Sequence, residues 1–219
     1  VISDGLMRDA CDGVIIANGD LVELHPSTDL LEHGSHLTPL TRSPKAHPDA
    51  LVVAASLDAR LDFDWLAQLA SGDVDLEIWG AVHPFWPEVA GELAALEARH
   101  PRVHLRGAYR DDDLPQILCD YRVGVLPYKK DDKLTRFIAP LTYYHYLNSG
   151  LDVVSSPIPA ASGLAPYIHI VDQPDWSVLS GEIAQASKAS RWSSIDNSWH
   201  CRWNAFVAIV CKVADRAHR

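Results

Sequence analysis

VGVLPYKKDDKLTRFIAPLTYYHYLNSGLDVVSSPIP, residues 123–159, lays out a strand, a polar loop, a helix, a glycine stop and a second strand. Val123, Val125 and Leu126 form an apolar β-type run that Pro127 closes. Pro140 suits the first turn of a helix, where a missing N–H costs nothing. Gly150 stands where a helix ends in a left-handed residue. Val153 and Val154 resume a short apolar run, ended by Pro157 and Pro159. A strand, a loop and a helix N-terminus together favour anions, because unbonded backbone N–H groups and the helix dipole face the loop. The stretch therefore reads as a holder for the phosphates of a nucleotide.

The rest of the chain must build a sheet around it. At 219 residues it can bury one α/β domain, or one domain and part of another. Its 47% hydrophobic and 22% charged residues are ordinary for a globular protein. A formal charge of −10 argues against non-specific nucleic-acid binding, which needs a basic face, yet leaves room for a local basic pocket. Cys11, Cys119, Cys201 and Cys211 are scattered without a Cys-x-x-Cys pair. That spacing fits reduced thiols in a cytoplasmic protein better than a disulfide framework. No apolar run approaches the ~20 residues of a membrane span, and the N-terminus lacks the layout of a secretory signal. The chain begins at Val1, as a fragment or a processed chain would.

Before residue 50 the pattern is thin. Asp12-Gly13 leads into a strand at Val14–Ala17, stopped by Asn18-Gly19, and Asp29–Gly34 forms a weaker one. Two strands with so little around them cannot close a core, so residues 1–40 read as the remnant of a preceding domain. Pro39, Pro44 and Pro48 among polar residues give 41–49 the composition of a linker. From Ala50 the alternation becomes regular. Strands are expected at Leu51–Ala55, Leu76–Gly80, Val103–Leu105, Val123–Leu126, Val153-Val154 and Ile168–Val171. Helices are expected at Asp62–Ala70, Glu88–His100 and Leu114–Asp120, besides the one at Pro140. Near-continuous apolar strands alternating with amphipathic helices predict an α/β domain over 50–175, a Rossmann-like parallel sheet with helices on both faces. Residues 176–219 read as C-terminal helices, broken around Ser193-Ser194.

In such a sheet, ligands lie off the carboxyl ends of the strands. The loops there are Ser56–Arg60, Gly80–Pro87, Gly107–Arg110, Pro127–Ala139 and Ser155–Gly163. Arg60 is the cation of the first, while the fourth carries Lys129, Lys130, Lys133, Thr135 and Arg136. These groups could converge on a diphosphate. For the lysines, which neighbour Asp131 and Asp132, a solvated loop is the competing reading.

The segment from about Ala50 to Asp172 resembles the C-terminal, donor-binding domain of GT-B-fold glycosyltransferases of the glycogen-synthase-like superfamily. The pieces that carry the resemblance are SLDARLDFDWLAQLA, VHLRGAY…LPQILCDYRVGVLPY and APLTYYHYLNSGLDVVSSPIP. Upstream, ACDGVIIANGDLVEL…LLEHGSHL is similar to the last strands of the family's N-terminal domain, with His33-Gly34 before the linker. Trp199-His200-Cys201-Arg202 is similar to a Trp-x-x-Arg near the family's final helix. The resemblance implies transfer of a sugar from a nucleotide-sugar donor, such as a UDP- or GDP-sugar, with no cofactor and no bound metal. It implies a donor diphosphate between Arg60 and the helix N-terminus at Ile138–Leu141, with Pro140 in that turn and Thr135, Arg136 and Thr142 as contacts. It further implies a base near Gly107–Tyr109 and a ribose near His145. It also implies a cytoplasmic protein, or one peripheral to the inner face of the membrane. The sequence departs from the family at three points of the last piece. Thr142 replaces a lysine, His145 replaces the glutamate that accepts ribose hydroxyls, and Gly150-Leu151-Asp152 replaces Gly-Lys-Pro. One imidazole nitrogen accepts one hydroxyl proton where a carboxylate accepts two. A degenerate, non-catalytic nucleotide-binding or interaction domain is therefore the alternative. A nucleotide-sugar epimerase shares the fold, but no pair of acid/base carboxylates presents itself.

Other motifs are weaker. His33-x-x-His36 has a zinc-like spacing without a third ligand nearby. Asp62-Phe-Asp64 begins a helix, where acids favour the dipole. Asp73-Val-Asp75 precedes a strand as turn residues, and Asp111–Asp113 opens a helix. Tyr143, Tyr144 and Tyr146 are expected as core and groove aromatics.

Overall fold

The Val123–Pro159 stretch forms the centre of a parallel sheet. The computed structural model describes residues 11–23, 28–35, 47–185, 187–192, 195 and 197–217. The expectations for His36, Pro39, Pro44 and the Ser193-Ser194 break fall outside these residues. The strands are β1 (Ile15–Ile16), β2 (Asp29–Leu30), β3 (His47–Ala54), β4 (Asp75–Trp79), β5 (Val103–Gly107), β6 (Tyr121–Leu126), β7 (Asp152–Ser155) and β8 (His169–Ile170). The helices are α1 (Phe63–Ala70), α2 (Glu88–Arg99), α3 (Leu114–Cys119), α4 (Leu141–Asn148), α5 (Pro159–Ser162), α6 (Trp176–Gln185), α7 (Ala189–Trp192) and α8 (Trp199–Ala217).

Strands β3 to β8 make a six-stranded sheet in the order β5-β4-β3-β6-β7-β8, with every pairing parallel. This is the doubly wound order, in which the direction of winding reverses between β3 and β6. With right-handed crossovers the reversal places the helices of the two halves on opposite faces. Leu51, Val52, Val53, Val125, Leu126, Val153 and Val154 are buried, as strands covered on both faces require. Among the described residues no helix is long and apolar enough to cross a membrane.

Local chemistry accounts for the boundaries. The Asp62 side chain caps α1 by accepting from Trp65 N at 3.0 Å. Helix α4 starts at Leu141, so Pro140 stands at its N-cap, one residue outside the first turn in which it was expected. At the other end Gly150 has φ +72°. Gly150 N donates to Leu147 O and Leu151 N to Tyr146 O, both at 3.0 Å. That is the paired bonding of a Schellman stop, and it fixes where β7 begins. Two expectations are corrected. Residues 47–49 belong to the sheet and not to a linker, since His47 N donates to Asp120 O at 2.8 Å and its ring stacks on Tyr121. Pro48 is admissible so near a strand's start. The prolines after β7 do more than end it: Pro159 opens the short α5.

The two faces of the winding reversal are joined by Tyr146. Register between β3 and β6 runs through Leu51↔Val123 and Val52↔Gly124 and no further. Beyond it, Ala54 N donates to Tyr146 Oη at 2.7 Å, and that hydroxyl lies 3.4 Å from both Val52 O and Val125 O. The ring lies against Gly124, where an added Cβ would come within 2.5 Å of Tyr146 Cδ2.

Residues 11–35 lie beside this domain. Strands β1 and β2 pair with each other, Asn18 Nδ2 donates to Ile138 O at 2.7 Å, and Ser35 N donates to Asn197 O at 2.9 Å. Helix α8 reaches the same segment through Lys212 and Asp29, 2.5 Å apart. The two motifs compared with the family's domain ends meet here. The His33 and Trp199 rings are edge to face, with Gly34 against Trp199 and Arg202.

Gly124→Ala should overpack a rigid ring and cost about 1–3 kcal/mol. Tyr146→Phe should cost a similar amount by leaving the Ala54 amide unsatisfied. Urea unfolding measures both, and a Gly124→Ala variant as stable as the unsubstituted chain would contradict the packing described.

Candidate functional site

The loops leaving β3 and β6 meet at the winding reversal, where Leu61 and Tyr128 form an antiparallel bridge. The exit of β3 carries Asp58 and Arg60. Asp58 is buried and accepts from Arg60 Nε at 2.8 Å, from Arg60 Nη2 at 2.5 Å and from the Arg60 backbone N at 3.0 Å. The guanidinium lies 5.1 Å from the centroid of the Tyr128 ring, on the exit of β6. A forked carboxylate on one edge and an aromatic face beneath fix Arg60 in one orientation. Its side chain remains 27% exposed. Burial pushes the Asp58 carboxyl up, but its bonds to the Arg60 side chain and backbone outweigh that and hold it below the ordinary value. Asp58 thus stays charged, and so does Arg60.

The loops are stitched backbone to backbone. Asp62 N donates to Pro127 O and Lys129 N to Arg60 O, both at 2.8 Å. Lys129 Nζ donates to Ala59 O at 2.9 Å. On the other side, Ser156 Oγ accepts from Tyr128 N at 2.9 Å and donates to Tyr128 O at 2.5 Å. Tyr128 is therefore clamped between the exits of β3 and β7. Next to it, the Tyr143 and Ser155 hydroxyls are 2.6 Å apart, and Ser155 Oγ donates to Ser156 O at 2.8 Å.

The residues singled out in the sequence divide into groups. Arg60 is where the β3 and β6 exits meet. Thr135 is fully buried and donates to Lys129 O at 2.5 Å and Asp132 O at 3.0 Å, so its hydroxyl shapes the loop and does not face a ligand. Arg136 is exposed, 3.0 Å from Glu23 Oε2 and over the Phe137 ring. It turns towards the N-terminal segment, in a pair that water and salt weaken. Pro140, Leu141 and Thr142 begin α4, and Pro140 supplies no side-chain cap. His145 is half-buried one turn further along. Gly107 ends β5 and accepts from Gly80 N at 2.8 Å. Tyr109 is half-buried, its phenol pushed up to about 12 by burial with added repulsion from Asp111 and Tyr128.

The lysines split as well. Lys130 pairs with Asp172 at 2.7 Å. With Asp131, Asp132, Lys133, Arg136 and Pro159 it lines a cleft of about 390 Å³. A second cleft, of about 270 Å³, lies between Asn18, Leu30 and Glu32 on one side and Pro140, Tyr143 and Ala160 on the other.

Asp58, Tyr128 and Ser156 were not anticipated. The Asp-x-Arg spacing in SLDAR was the available signal for Asp58. Nothing local marks Tyr128 or Ser156, whose roles depend on the β6 and β7 exits lying side by side. The remaining motifs are structural. Asp62 is a cap, Asp73 pairs with Arg102 at 2.5 Å, and no cluster of three metal-ligating side chains occurs among the described residues. Leu151 and Asp152, where the family has Lys-Pro, are also structural. Leu151 is fully buried in the α4 stop, and Asp152 accepts from Lys188 N at 2.8 Å and Ser187 Oγ at 3.0 Å. All four cysteines are free thiols.

The chain matches no protein-family model and no curated protein. It does superpose on solved structures of the GT-B type. Against HepE of Anabaena, in complex with UDP and glucose, the TM-score is 0.77 at 14% identity, over 96% of this chain and 66% of that one. Against sucrose-phosphate synthase of Thermosynechococcus elongatus it is 0.73 at 15% identity, over 94% and 59%. Against a glycosyltransferase of Rickettsia africae it is 0.71 at 12% identity, over 92% and 63%. At this identity the likeness is one of fold. The chain spans less than two thirds of the length of each of these structures. The expected fold class, the Rossmann-like C-terminal part of a GT-B protein, is thus the one found.

Because the Asp58 carboxyl is held below its ordinary value of 3.8, its contribution is complete above that pH and is lost as pH falls through the lower folded value. Asp58→Asn should lower stability by about 2 kcal/mol near neutral pH. The gap to the unsubstituted chain should close as pH drops below about 4. Thermal melts from pH 7 to pH 2.5 read this out, and a gap that is constant over the range would contradict the ion-pair account.

Proposed function

We propose that this chain carries the donor-binding part of a glycosyltransferase that uses a nucleotide sugar such as a UDP- or GDP-sugar. The observation that carries the reading is Arg60, held by Asp58 and Tyr128 at the winding reversal of the sheet, where ligands of doubly wound folds bind. A guanidinium oriented before the ligand arrives has lost its freedom already, so a diphosphate gains more of the contact energy. The N-terminus of α4 opens on the same edge and adds a dipole favourable to phosphate. Structures of HepE hold UDP and UDP-glucose, which supports a nucleotide sugar as the ligand. In this reading the diphosphate lies between Arg60 and Pro140–Thr142, the base near Gly107–Tyr109 and the ribose near His145. Arg136 joins the site once released from Glu23, and Thr135 acts by holding the loop. Residues 1–40 would be the end of an acceptor-binding domain, followed by a linker to a domain that begins with β3 at His47 and runs to about 175, and then the helices of 176–219. The free thiols favour a cytoplasmic setting, in solution or at the inner face of a membrane.

A second reading has its own observation. Thr142 carries no charge where the family has a lysine, and the half-buried His145 stands in place of a carboxylate. A domain that binds the nucleotide without transferring the sugar fits those two positions.

Calorimetry with UDP, GDP and their sugars should show binding, with Arg60→Ala weakening it about tenfold or more. No binding of any of them at millimolar concentration would sink the donor-domain reading. Unchanged affinity in Arg60→Ala would remove Arg60 from the site. Donor hydrolysis or transfer alongside binding separates the enzyme from the binding domain.

A further inference from the structure

The loop leaving β6 carries more cations than one diphosphate at Arg60 accounts for. Lys130, Lys133 and Arg136 line one cleft of about 390 Å³, together with Asp131, Asp132 and Pro159. That volume falls among those of small-molecule sites, ~300–1,000 Å³. Asp58, Arg60 and Tyr128 are not among its lining residues, and Lys129 is turned to Ala59 O. The cleft is therefore a second basic place beside the first. Its frame is fixed, since Thr135 N and Arg136 N both donate to Asp132 O at 3.1 Å and the buried Thr135 hydroxyl ties this turn to Lys129 O. Residues 132–136 thus make one turn of helix, on which Lys133 and Arg136, three apart, share a face.

These cations are held loosely. Lys130 pairs with Asp172 at 2.7 Å and Arg136 with Glu23 at 3.0 Å, all four side chains about half exposed or more. A ligand's anion can replace either partner at small cost. Lys133 is exposed and makes no ion pair among the described residues. Position decides what reaches them. Across the sheet, in the order β5-β4-β3-β6-β7-β8, Arg60 follows β3, Lys130 follows β6, Pro159 follows β7 and Asp172 follows β8. A nucleotide sugar with its base at the β5 exit and its diphosphate at Arg60 extends its sugar over the exits of β6 and β7. The cleft lies there.

We infer that the transferred sugar is a uronic acid, its carboxylate held by Lys133 and Arg136 with Lys130 beside them. The inference rests on the donor reading and adds the chemical class of the sugar. The two acids in the lining favour a uronate over a second phosphate. A phosphate brings acceptors and meets Asp131 and Asp132 as like charges, whereas a uronic ring brings hydroxyl donors for the acids and one carboxylate for the cations. In a chain of net charge −10, Lys129, Lys130, Lys133 and Arg136 against Asp131 and Asp132 make residues 128–136 locally basic.

Calorimetry with two matched donor pairs tests this, UDP-glucuronic acid against UDP-glucose and GDP-mannuronic acid against GDP-mannose. Each pair differs only in a carboxylate for a hydroxymethyl group. The proteins are the unsubstituted chain, Lys133→Gln and the double variant Lys130→Gln/Lys133→Gln. Both lysines are exposed, so the substitutions remove charge and no core packing. The unsubstituted chain should bind the uronate of at least one pair about tenfold more tightly than its neutral partner. Lys133→Gln should reduce that preference, the double variant should remove most of it, and the neutral sugars should bind all three proteins alike. Neutral sugars bound as tightly as uronates would overturn the uronate and leave the donor reading standing. A preference undiminished in the double variant would also overturn it, because the carboxylate would then be held elsewhere. An equal loss for uronate and neutral sugar would overturn it too, since the lysines would then act on the diphosphate. If no UDP or GDP compound binds at all, the donor reading falls and the uronate with it.

Discussion

A parallel sheet that is to hold a ligand at its winding reversal must let two neighbouring strands part without stranding their backbone groups. Here β3 and β6 pair as far as Val52 and Gly124, and the next inward-facing amide, Ala54 N, is met by a side chain. Tyr146 reaches it from α4 across a strand position that only a residue without a Cβ leaves open. A buried amide without a partner costs about 1–3 kcal/mol, so the hydroxyl makes the break in the ladder stable. It also pins α4 to both strands. The position of the helix N-terminus, the Schellman stop at Gly150 and the start of β7 all follow from that attachment.

The strand exits are lined by polar groups that mostly bind one another. Ser156 holds Tyr128 at both backbone atoms, Thr135 holds Lys129, and Asp58 holds Arg60. Such a rim spends its hydrogen bonds on keeping loops in place and leaves few groups for a ligand. Arg60 is the exception because the carboxylate takes one edge of its guanidinium and the aromatic ring only its face. In a chain of net charge −10, a fixed cation at the strand exits is a local feature that the overall charge conceals.

Periodicity recovered most of this fold, because parallel strands buried on both faces are nearly pure apolar runs and the helices between them carry one apolar face. Leu51–Ala54, Val123–Leu126 and Val153-Val154 were readable for that reason, as was the glycine stop at 150. Strand β3 was read short at its start because His47-Pro48-Asp49 looks like linker, and only its pairing with Tyr121 makes it sheet. The candidate site was legible only in part. Arg60 stood out as a lone cation at a strand exit. Asp58, Tyr128 and Ser156 did not, since each acts through a neighbour 2 to 28 residues away and no local pattern records that distance. The bond that the Thr135 hydroxyl makes to Lys129 O was illegible for the same reason, since a hydroxyl on a basic loop looks alike whether it faces a phosphate or its own backbone. Likewise the buried Glu77, which accepts from Tyr121 Oη at 2.6 Å and Arg106 Nε at 2.8 Å across three strands, follows from strand order alone.

The central claim is that a nucleotide binds where the exits of β3 and β6 meet. Backbone amide shifts of the ¹⁵N-labelled chain during titration with UDP test it most directly, because they report position as well as binding. The account predicts saturable shifts at Asp58–Arg60, at Tyr128 and Lys129 and at Leu141–Tyr143, with the amides of α2 and α6 unmoved. Shifts confined to the cleft between Asn18 and Ala160, or a spectrum that UDP leaves unchanged at millimolar concentration, would contradict it.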